Sequence, residues 1–349
     1  MAHPEKILEN RRFVLNRRPQ GEPDEQTFRL ETGPVPVPGE GEFLVRNHYL
    51  SLDPYMRGRL SDRKSYAAPV GIGETMVGGT VGRVVSSRHP DHAEGDWVVT
   101  VGGWQDYAIS NGALTFPLAA DMPNKSWALG VLGMPGFTAW AGLTQIGQPK
   151  AGETLVVAAA TGPVGAMVGQ LAKHCGLRVV GVAGGPEKCR HAVEVQGFDA
   201  CIDHRAADFA QKLAQAVPEG IDIYFENVGG KVFDAVMPLL NSGARIPLCG
   251  TVATYNSPDL ADEGRADRTG LVMARFLQQR IVLRGFIVFD DFGHLYPDFM
   301  REVAPLVAAG RIVYTEDMTD GLENAPRALN QVLRGENFGK KVIRIAAED

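Results

Sequence analysis

Six residues, Ala160-Thr161-Gly162-Pro163-Val164-Gly165, follow the apolar run Leu155-Val156-Val157 and open a segment of helical pattern. A nucleotide phosphate needs backbone N–H groups aimed at it from a helix N-terminus, and neighbours small enough for the pyrophosphate to approach. Set against the pattern GxGxxG, the first glycine is replaced by Ala160. Gly162 permits close approach, Gly165 permits tight packing of helix on strand, and Gly169 carries the small-residue stripe one turn further. Pro163 suits a helix start, where its missing N–H would go unpaired in any case. A degenerate glycine pattern is weak alone, and a purely structural turn is the alternative. The buried-type strand before it, and the helix and second strand after it, favour a dinucleotide cradle that includes Thr161 and Val164.

The end of the second strand decides which dinucleotide. An NAD-binding domain places an acid about 20 residues on, to hold the ribose hydroxyls. Here that place holds Ala183-Gly184-Gly185-Pro186-Glu187-Lys188. The glycines leave room for a 2′-phosphate without charge repulsion, and Lys188 supplies a cation to meet it. His204 and Arg205, after the third strand Cys201-Ile202-Asp203, are placed to add contacts to the same phosphate. Lys188 alone would read as a solvated helix-start lysine; its setting favours NADP.

The elements that must position these residues follow a rhythm. From Thr154, short β-branched runs (Leu155–Val157, Val179–Val182, Ile221–Phe225, Arg245–Leu248) alternate with segments of helix length, as in repeated βαβ units over a parallel sheet. The first ~130 residues are rich in Val, Gly and Pro, with short apolar segments such as Phe43-Leu44-Val45 and Trp97–Val101, and read as mostly β. After Gly310 come Ile312-Val313-Tyr314 as a strand, a helix near Asn324–Leu333, and a strand at Lys341–Ile345 that can pair back into the first domain. The charge-dense segment Asp259–Arg268 reads as a mobile surface loop.

With 349 residues, 44% of them hydrophobic, the chain is long enough for two domains with substantial cores. A net charge of −6 with scattered lysines and arginines gives no basic face for nucleic acid. No apolar run approaches the ~20 residues of a membrane span, and Met1–Lys6 is not followed by a signal-peptide core, so the expected location is the cytoplasm. Cys175, Cys189, Cys201 and Cys249 form no CxxC pair and are expected reduced and buried.

The cradle, together with Asn47–Arg57 (NHYLSLDPYMR), Gly133–Ala139 (GMPGFTA), Ala183–Cys189 (AGGPEKC), Tyr224–Gly230 (YFENVGG) and Tyr255-Asn256, resembles the zinc-independent medium-chain dehydrogenase/reductases. Within them it resembles the branch of leukotriene B4 12-hydroxydehydrogenase/prostaglandin reductases, plant double-bond reductases and bacterial curcumin reductases, over nearly the whole chain. The resemblance implies a GroES-like, mostly β catalytic domain from both chain ends (residues 1–130 and 311–349) and a doubly wound Rossmann domain between them (131–310). It implies NADPH-dependent reduction of a carbon–carbon double bond conjugated to a carbonyl, in what is commonly a homodimer. Carried over by motif, Met134, Pro135, Thr138, Phe286, Ile287 and Val288 would line the nicotinamide pocket. Lys188 would hold the 2′-phosphate, Asn227 and Gly250 would flank the cofactor, and Asn337 would touch its phosphates. The family often has tyrosine where His204 stands; a partly protonated His204 would make phosphate binding pH-sensitive.

Zinc-dependent relatives need thiolate and imidazole ligands with an open position. Where they place a cysteine, Ser51-Leu52-Asp53-Pro54-Tyr55 appears, and Gly73-Glu74 lacks an intervening histidine. His89-Pro90-Asp91-His92 reads as a solvent-facing turn and His48 as a structural histidine, so no metal is expected. Hydride from NADPH would then add to the β-carbon of an enone or enal, and the negative charge on the carbonyl oxygen must be met by hydrogen-bond donors. Tyr255, just beyond the Gly250 turn at the carboxyl end of the sheet, is the first candidate, and Tyr55 the second; either can instead be a wall, with water as the proton donor. Arg57 and Arg59 would steer an acidic tail or simply be exposed. Tyr49, Met134, Phe286, Phe289 and Tyr296 suggest a hydrophobic pocket or plain core. A quinone reductase, or a non-catalytic NADPH-binding protein, are the competing readings.

Overall fold

A computed structural model describes residues 9–257 and 267–348. The expected loop at 259–268 lies, apart from Asp267 and Arg268, outside the described residues. The chain divides into two compact units, Met1–Leu129 with Glu316–Asp349, and Gly130–Thr315.

The first unit opens with an antiparallel ribbon, β1 (Glu9–Leu15) and β2 (Phe28–Pro34). There follow β3 (Phe43–Ser51), a one-turn helix α1 (Met56–Arg59), β4 (Thr80–Ser87), β5 (Trp97–Thr100), β6 (Tyr107–Ser110) and β7 (Phe116–Pro117). β3 is the organising strand: it pairs antiparallel with β4 and with β6. Its alternation sends Leu50 into one core with Met56 and Trp104, and Tyr49 to another with Val81 and Leu129.

The second unit begins with α2 (Met134–Ala141) and then alternates strand and helix: β8 (Thr154–Ala158), α3 (Pro163–His174), β9 (Arg178–Ala183), α4 (Pro186–Glu194), β10 (Ala200–Asp203), α5 (Phe209–Ala216), β11 (Ile221–Phe225), α6 (Gly230–Val236), β12 (Leu240–Leu248), α7 (Thr269–Gln279) and β13 (Val282–Gly285). All neighbouring pairs are parallel, in the order β10-β9-β8-β11-β12-β13. Strands buried on both faces are near-continuous apolar runs, and all five residues of β8 are buried. The order reverses between β8 and β11, the point at which such sheets open a ligand crevice beyond their carboxyl ends. Glycines let α3 close on the sheet: a Cβ on Gly169 would lie 2.0 Å from the Phe198 ring, and one on Gly181 2.7 Å from the Ala160 Cβ.

After α8 (Val288–Phe292) and α9 (Tyr296–Ala308) the chain returns to the first unit as β14 (Glu316–Asp320), α10 (Ala325–Leu333) and β15 (Lys340–Arg344). β15 pairs antiparallel with β3 and parallel with β14. Ile312-Val313-Tyr314, expected as a strand, is not one. Gln170 of α3 holds this segment in the second unit, its amide donating to the Val313 carbonyl (3.0 Å) and its Oε1 accepting the Val313 amide (2.7 Å). The return to the first unit is therefore at Glu316, five residues beyond the expected 311. The four cysteines are free, but none is fully buried as expected: Cys175 is exposed at the end of α3, and Cys189, Cys201 and Cys249 are half-buried.

Candidate active site

The cradle grows from the end of β8. Ala159 takes the left-handed conformation (φ +53°), which costs an alanine about 1–2 kcal/mol. The strained turn thus falls one residue before the position where the pattern placed its missing glycine. Ala160 is then tethered to β9, its amide donating to the Val182 carbonyl at 3.0 Å. Gly162 is the N-cap of α3, extended (φ −73°, ψ 166°), and Pro163 fills the first turn. A Cβ on Gly165 would stand 2.3 Å from the Ala159 carbonyl oxygen, so only glycine lets the helix start beneath that turn. Thr161 is buried, while Gly162, Pro163 and Val164 are half-buried. An α-helix leaves its first N–H groups without intrahelical partners, and α3 presents them here.

A second pocket lies at the end of β9. A Cβ on Gly184 would sit 3.0 Å from His204 Nε2 and 3.1 Å from Arg205 Nε. Gly185, at φ +102°, caps α4, whose third residue is Lys188. Asp203 ties the two loops together, its Oδ1 accepting the amides of Gly185 (2.9 Å) and Arg205 (2.8 Å). Burial, and then the charges of Lys231 and Arg205, hold the His204 imidazolium below the ordinary histidine range. Lys231, at the start of α6, is a residue that sequence patterns do not single out. Its only signal is its place just after the Val228-Gly229-Gly230 turn. The arrangement fits NADPH: a tight helix start for the pyrophosphate, and a side-chain-free floor at Gly184 rimmed by cations for the 2′-phosphate.

At the switch point Asn227 bridges the sheet, its Nδ2 donating to the Ala158 carbonyl at 2.8 Å. Its loop is held by buried Glu226, which accepts the amides of Val228 (2.6 Å) and Gly229 (2.9 Å) on Oε1 and the Tyr224 hydroxyl (2.9 Å) on Oε2. Burial pushes the Glu226 carboxyl up, against the pull of those donors. The Glu226 carbonyl in turn accepts the amides of Cys249 and Gly250. A Cβ on Gly250 would lie 3.2 Å from the Tyr255 hydroxyl and 3.3 Å from the Asn227 carbonyl. Asn227, Gly250 and Tyr255 therefore form one cluster beyond β11 and β12.

The remaining residues of this unit fall into place less directly. Met134 and Pro135 open α2, and Thr138 donates its hydroxyl to the Met134 carbonyl (2.7 Å). Phe286 and Val288 have buried side chains, while Ile287 is half-buried and caps α8. Phe289 stacks among Phe137 and Tyr296, whose hydroxyl donates to the Leu132 carbonyl (2.8 Å). Phe289 and Tyr296 are half-buried within this aromatic cluster.

In the first unit, Tyr55 caps α1 beside Asp53, and burial, with the Asp53 charge, raises its phenol well above 10. It therefore stays protonated. Asp53 is buried against Lys340, whose Nζ donates to Asp53 (2.5 Å) and to the Leu52 carbonyl (2.9 Å), with Ser51 as a further donor to Asp53. Two expectations fail here. Arg57 is only 3% exposed and donates through Nε and Nη2 to the Gly21 carbonyl, a clamp on the loop before β2 and no steering group. Tyr49 lies on the opposite face of β3 from Leu50, its hydroxyl donating to Glu348 (2.7 Å), so it shares no wall with Tyr55. Asn337 donates to the Gly339 carbonyl (2.7 Å) in the turn before β15. His48 is buried against the Trp97 ring, and His89 and His92 pack on Phe43. Among the described residues no three His, Cys, Asp or Glu side chains are grouped to hold a metal.

A parallel sheet of this order with a glycine cradle and a cationic second-strand pocket defines a dinucleotide-dependent oxidoreductase. Residues 11–118 match the family model for the N-terminal domain of oxidoreductase, and residues 163–308 match that for zinc-binding dehydrogenase. The chain belongs to the medium-chain dehydrogenase/reductase family, in the branch of curcumin, alkenal and prostaglandin reductases. It is 61% identical over 340 residues to the NADPH-dependent curcumin reductase of Escherichia coli K12, covering 97% of this chain and 98% of that one. It is 39% identical to the 2-alkenal reductase (NADP(+)-dependent) of Nicotiana tabacum, covering 98% and 99%. Among solved structures, CurA from Vibrio vulnificus in complex with NADPH matches with a TM-score of 0.93 at 55% identity, covering 97% of this chain and 100% of that one.

Proposed function

We propose that this chain uses NADPH to reduce the carbon–carbon double bond of α,β-unsaturated ketones and aldehydes. The observation that carries this is near-full-length identity of 61% to a curcumin reductase together with an intact cradle and 2′-phosphate pocket. NADPH, when bound, supplies a hydride to the electron-poor β-carbon of the enone. Gly162 to Gly165 hold its pyrophosphate, Gly184, Lys188 and His204 its 2′-phosphate, and Asn227, Gly250 and the Met134–Thr138 turn the nicotinamide end; Asn337 adds a phosphate contact. Tyr255 donates a hydrogen bond to the carbonyl oxygen as negative charge gathers there, worth roughly 3–4 kcal/mol for a single well-placed donor. Tyr55, kept protonated by its surroundings, is the second candidate for that role.

Small hydrophobic enones and enals are the substrates. The first unit, in this reading, is the GroES-like catalytic domain. Homodimer formation is supported by β13, the last strand of its sheet, where Val282 and Leu283 are exposed, and by the exposed Leu271, Met273 and Leu277 of α7. A second copy of the same edge would cover them. A cytoplasmic location is supported by four free cysteines, and no described helix is long and apolar enough to cross a membrane. The test is steady-state turnover of NADPH with 3-nonen-2-one against a simple quinone. Efficient enone reduction is expected; preference for the quinone would make the enzyme a quinone reductase, and binding of NADPH with no turnover of either a non-catalytic protein.

A further inference from the structure

Glu226 stands directly after β11 and is 1% exposed, a buried acid to which hydride transfer assigns no task. Burying a carboxylate is unfavourable unless donors surround it, and Glu226 has three. Its Oε1 accepts the amides of Val228 and Gly229, and its Oε2 the hydroxyl of Tyr224, a side chain with no exposed surface. The two amides belong to consecutive peptide units. A trans peptide points its N–H and its C=O in opposite directions, so the far ends of the same two units are the Asn227 and Val228 carbonyls. Each is taken by the loop that follows β12. Val252 donates its amide to the Asn227 carbonyl (3.3 Å), and Ala253 its amide to the Val228 carbonyl (3.0 Å). The Glu226 carbonyl accepts two further amides of that loop, from Cys249 (2.9 Å) and Gly250 (3.2 Å). Four of the five amides from Cys249 to Ala253 are thus held by three consecutive carbonyls, those of Glu226, Asn227 and Val228.

Tyr255 closes this chain of bonds. Val252–Thr254 form a single 3-10 turn, and the Tyr255 amide donates to the Val252 carbonyl (3.2 Å), so Tyr255 caps the turn. Hydrogen bonds to an ionised acceptor are stronger than neutral ones, and polarising one end of a peptide strengthens the bond at its other end.

We infer that Glu226 is a positioning residue for the reaction: its carboxyl clamps the Asn227–Gly229 turn, and the carbonyls of that turn fix Val252–Thr254 and with it the Tyr255 hydroxyl. The inference rests on the reading of Tyr255 as donor to the carbonyl oxygen of the substrate. A donor set slightly out of place still binds substrate but meets the developing charge poorly, so the loss falls on kcat. The cradle and the 2′-phosphate pocket are built at the ends of β8, β9 and β10, so the NADPH KM should hardly follow.

The experiment compares the full-length parent with Glu226→Ala and Glu226→Gln, using NADPH and 3-nonen-2-one below the unfolding transition of each. Glu226→Ala should lower kcat about tenfold, a displaced donor costing less than an absent one, with the NADPH KM changed by less than about threefold. Glu226→Gln should rescue kcat to within about threefold of the parent, because its side-chain oxygen can accept the same two amides. Amide hydrogen exchange over residues 249–257 should quicken in the alanine variant and match the parent in the glutamine variant. A merely structural Glu226 would lower the melting temperature and leave kcat per folded molecule intact; that result, or a glutamine variant as slow as the alanine one, overturns the inference. Glu226→Ala leaves two buried amides without an acceptor. Should it not fold, Val252→Pro cuts the same chain of bonds at its half-buried end, where proline suits a first helical position. That variant should lower kcat at least about threefold, as for one lost hydrogen bond, and a parent-like kcat overturns the inference.

Tyr255→Phe separates the inference from the reading beneath it. In that background Glu226→Ala should cost nothing further, and multiplied losses overturn the route through Tyr255. If Tyr255→Phe alone keeps the parent kcat, the donor reading falls, and the exchange rates decide whether the carboxyl holds the turn.

Discussion

The cradle at Gly162 and the cluster at Tyr255 both stand beyond the carboxyl ends of one sheet, yet they are held in different ways. In the cradle the contacts are backbone against backbone, from Ala159 to Gly165 and from Ala160 to Val182, and the side chains matter chiefly by being absent. At Tyr255 the arrangement depends on side chains from separate loops: Asn227 reaching Ala158, Glu226 holding two amides, and a phenol poised over Gly250. A backbone site is encoded within a few consecutive residues and tolerates no added atom. A side-chain site is assembled from distant residues, and its loss is felt in chemistry before it is felt in folding.

Substitutions can break or sharpen that contrast. The largest effect is expected at the side-chain site: Tyr255→Phe should lower kcat by roughly 100-fold, the cost of one donor to a developing oxyanion, with NADPH affinity retained. Single-turnover kinetics would reveal it, and an unaltered kcat shifts the role to Tyr55 or to water. At the backbone site Gly165→Ala should destabilise by about 1–3 kcal/mol through overpacking, read from thermal unfolding. Gly162→Ala should cost less, because its added methyl would meet the Ala159 carbonyl at 3.2 Å and not 2.3 Å. Equal losses at the two glycines would argue against a tight helix start at Gly165.

Lys188→Ala should raise the NADPH KM about tenfold and leave NADH unaffected, as for loss of a charge-assisted bond of ~1.5–3 kcal/mol. Equal changes for both cofactors would contradict the phosphate role. The smallest effect is pH dependence. Burial and the Lys231 and Arg205 charges keep His204 neutral in the free protein at pH 7. A phosphate dianion reverses that balance and raises its pKa in the complex. NADPH affinity should therefore be greatest at low pH and decline as pH rises through the pKa of the complex, a change of a few-fold that His204→Tyr should abolish. A flat KM profile in the parent enzyme would show that the imidazole does not meet the phosphate.

How much is legible in the sequence follows from the same distinction. The strand, glycine turn and helix of the cradle are local, so the helix start at Gly162, Pro163 and Gly165 can be read directly, as can the Gly184-Gly185 turn that opens the helix carrying Lys188. The left-handed turn falls one residue from its expected place because nothing in an alanine run marks Ala159 for it. Arg57 and Tyr49 depart from expectation because their fates are tertiary: a loop carbonyl at Gly21 consumes one, and the pleat of β3 turns the other away. Lys231 has only its place after the Val228-Gly229-Gly230 turn to mark it, since the His204 imidazole whose charge it opposes is far off in sequence. Glu226, by contrast, lies within the YFENVGG motif and holds the local Val228 and Gly229 amides, a role the motif itself does not announce. The strand expected at Ile312–Tyr314 yields to Gln170, whose side chain takes both hydrogen bonds of Val313.

The central claim is that hydride reaches the alkene carbon. It is tested most directly with NADPH carrying deuterium at C4, on the transferred face, and an enone such as 3-nonen-2-one. The account requires the saturated ketone with deuterium on the β-carbon. Deuterium on the carbinol carbon of an allylic alcohol, the mark of carbonyl reduction, would contradict it.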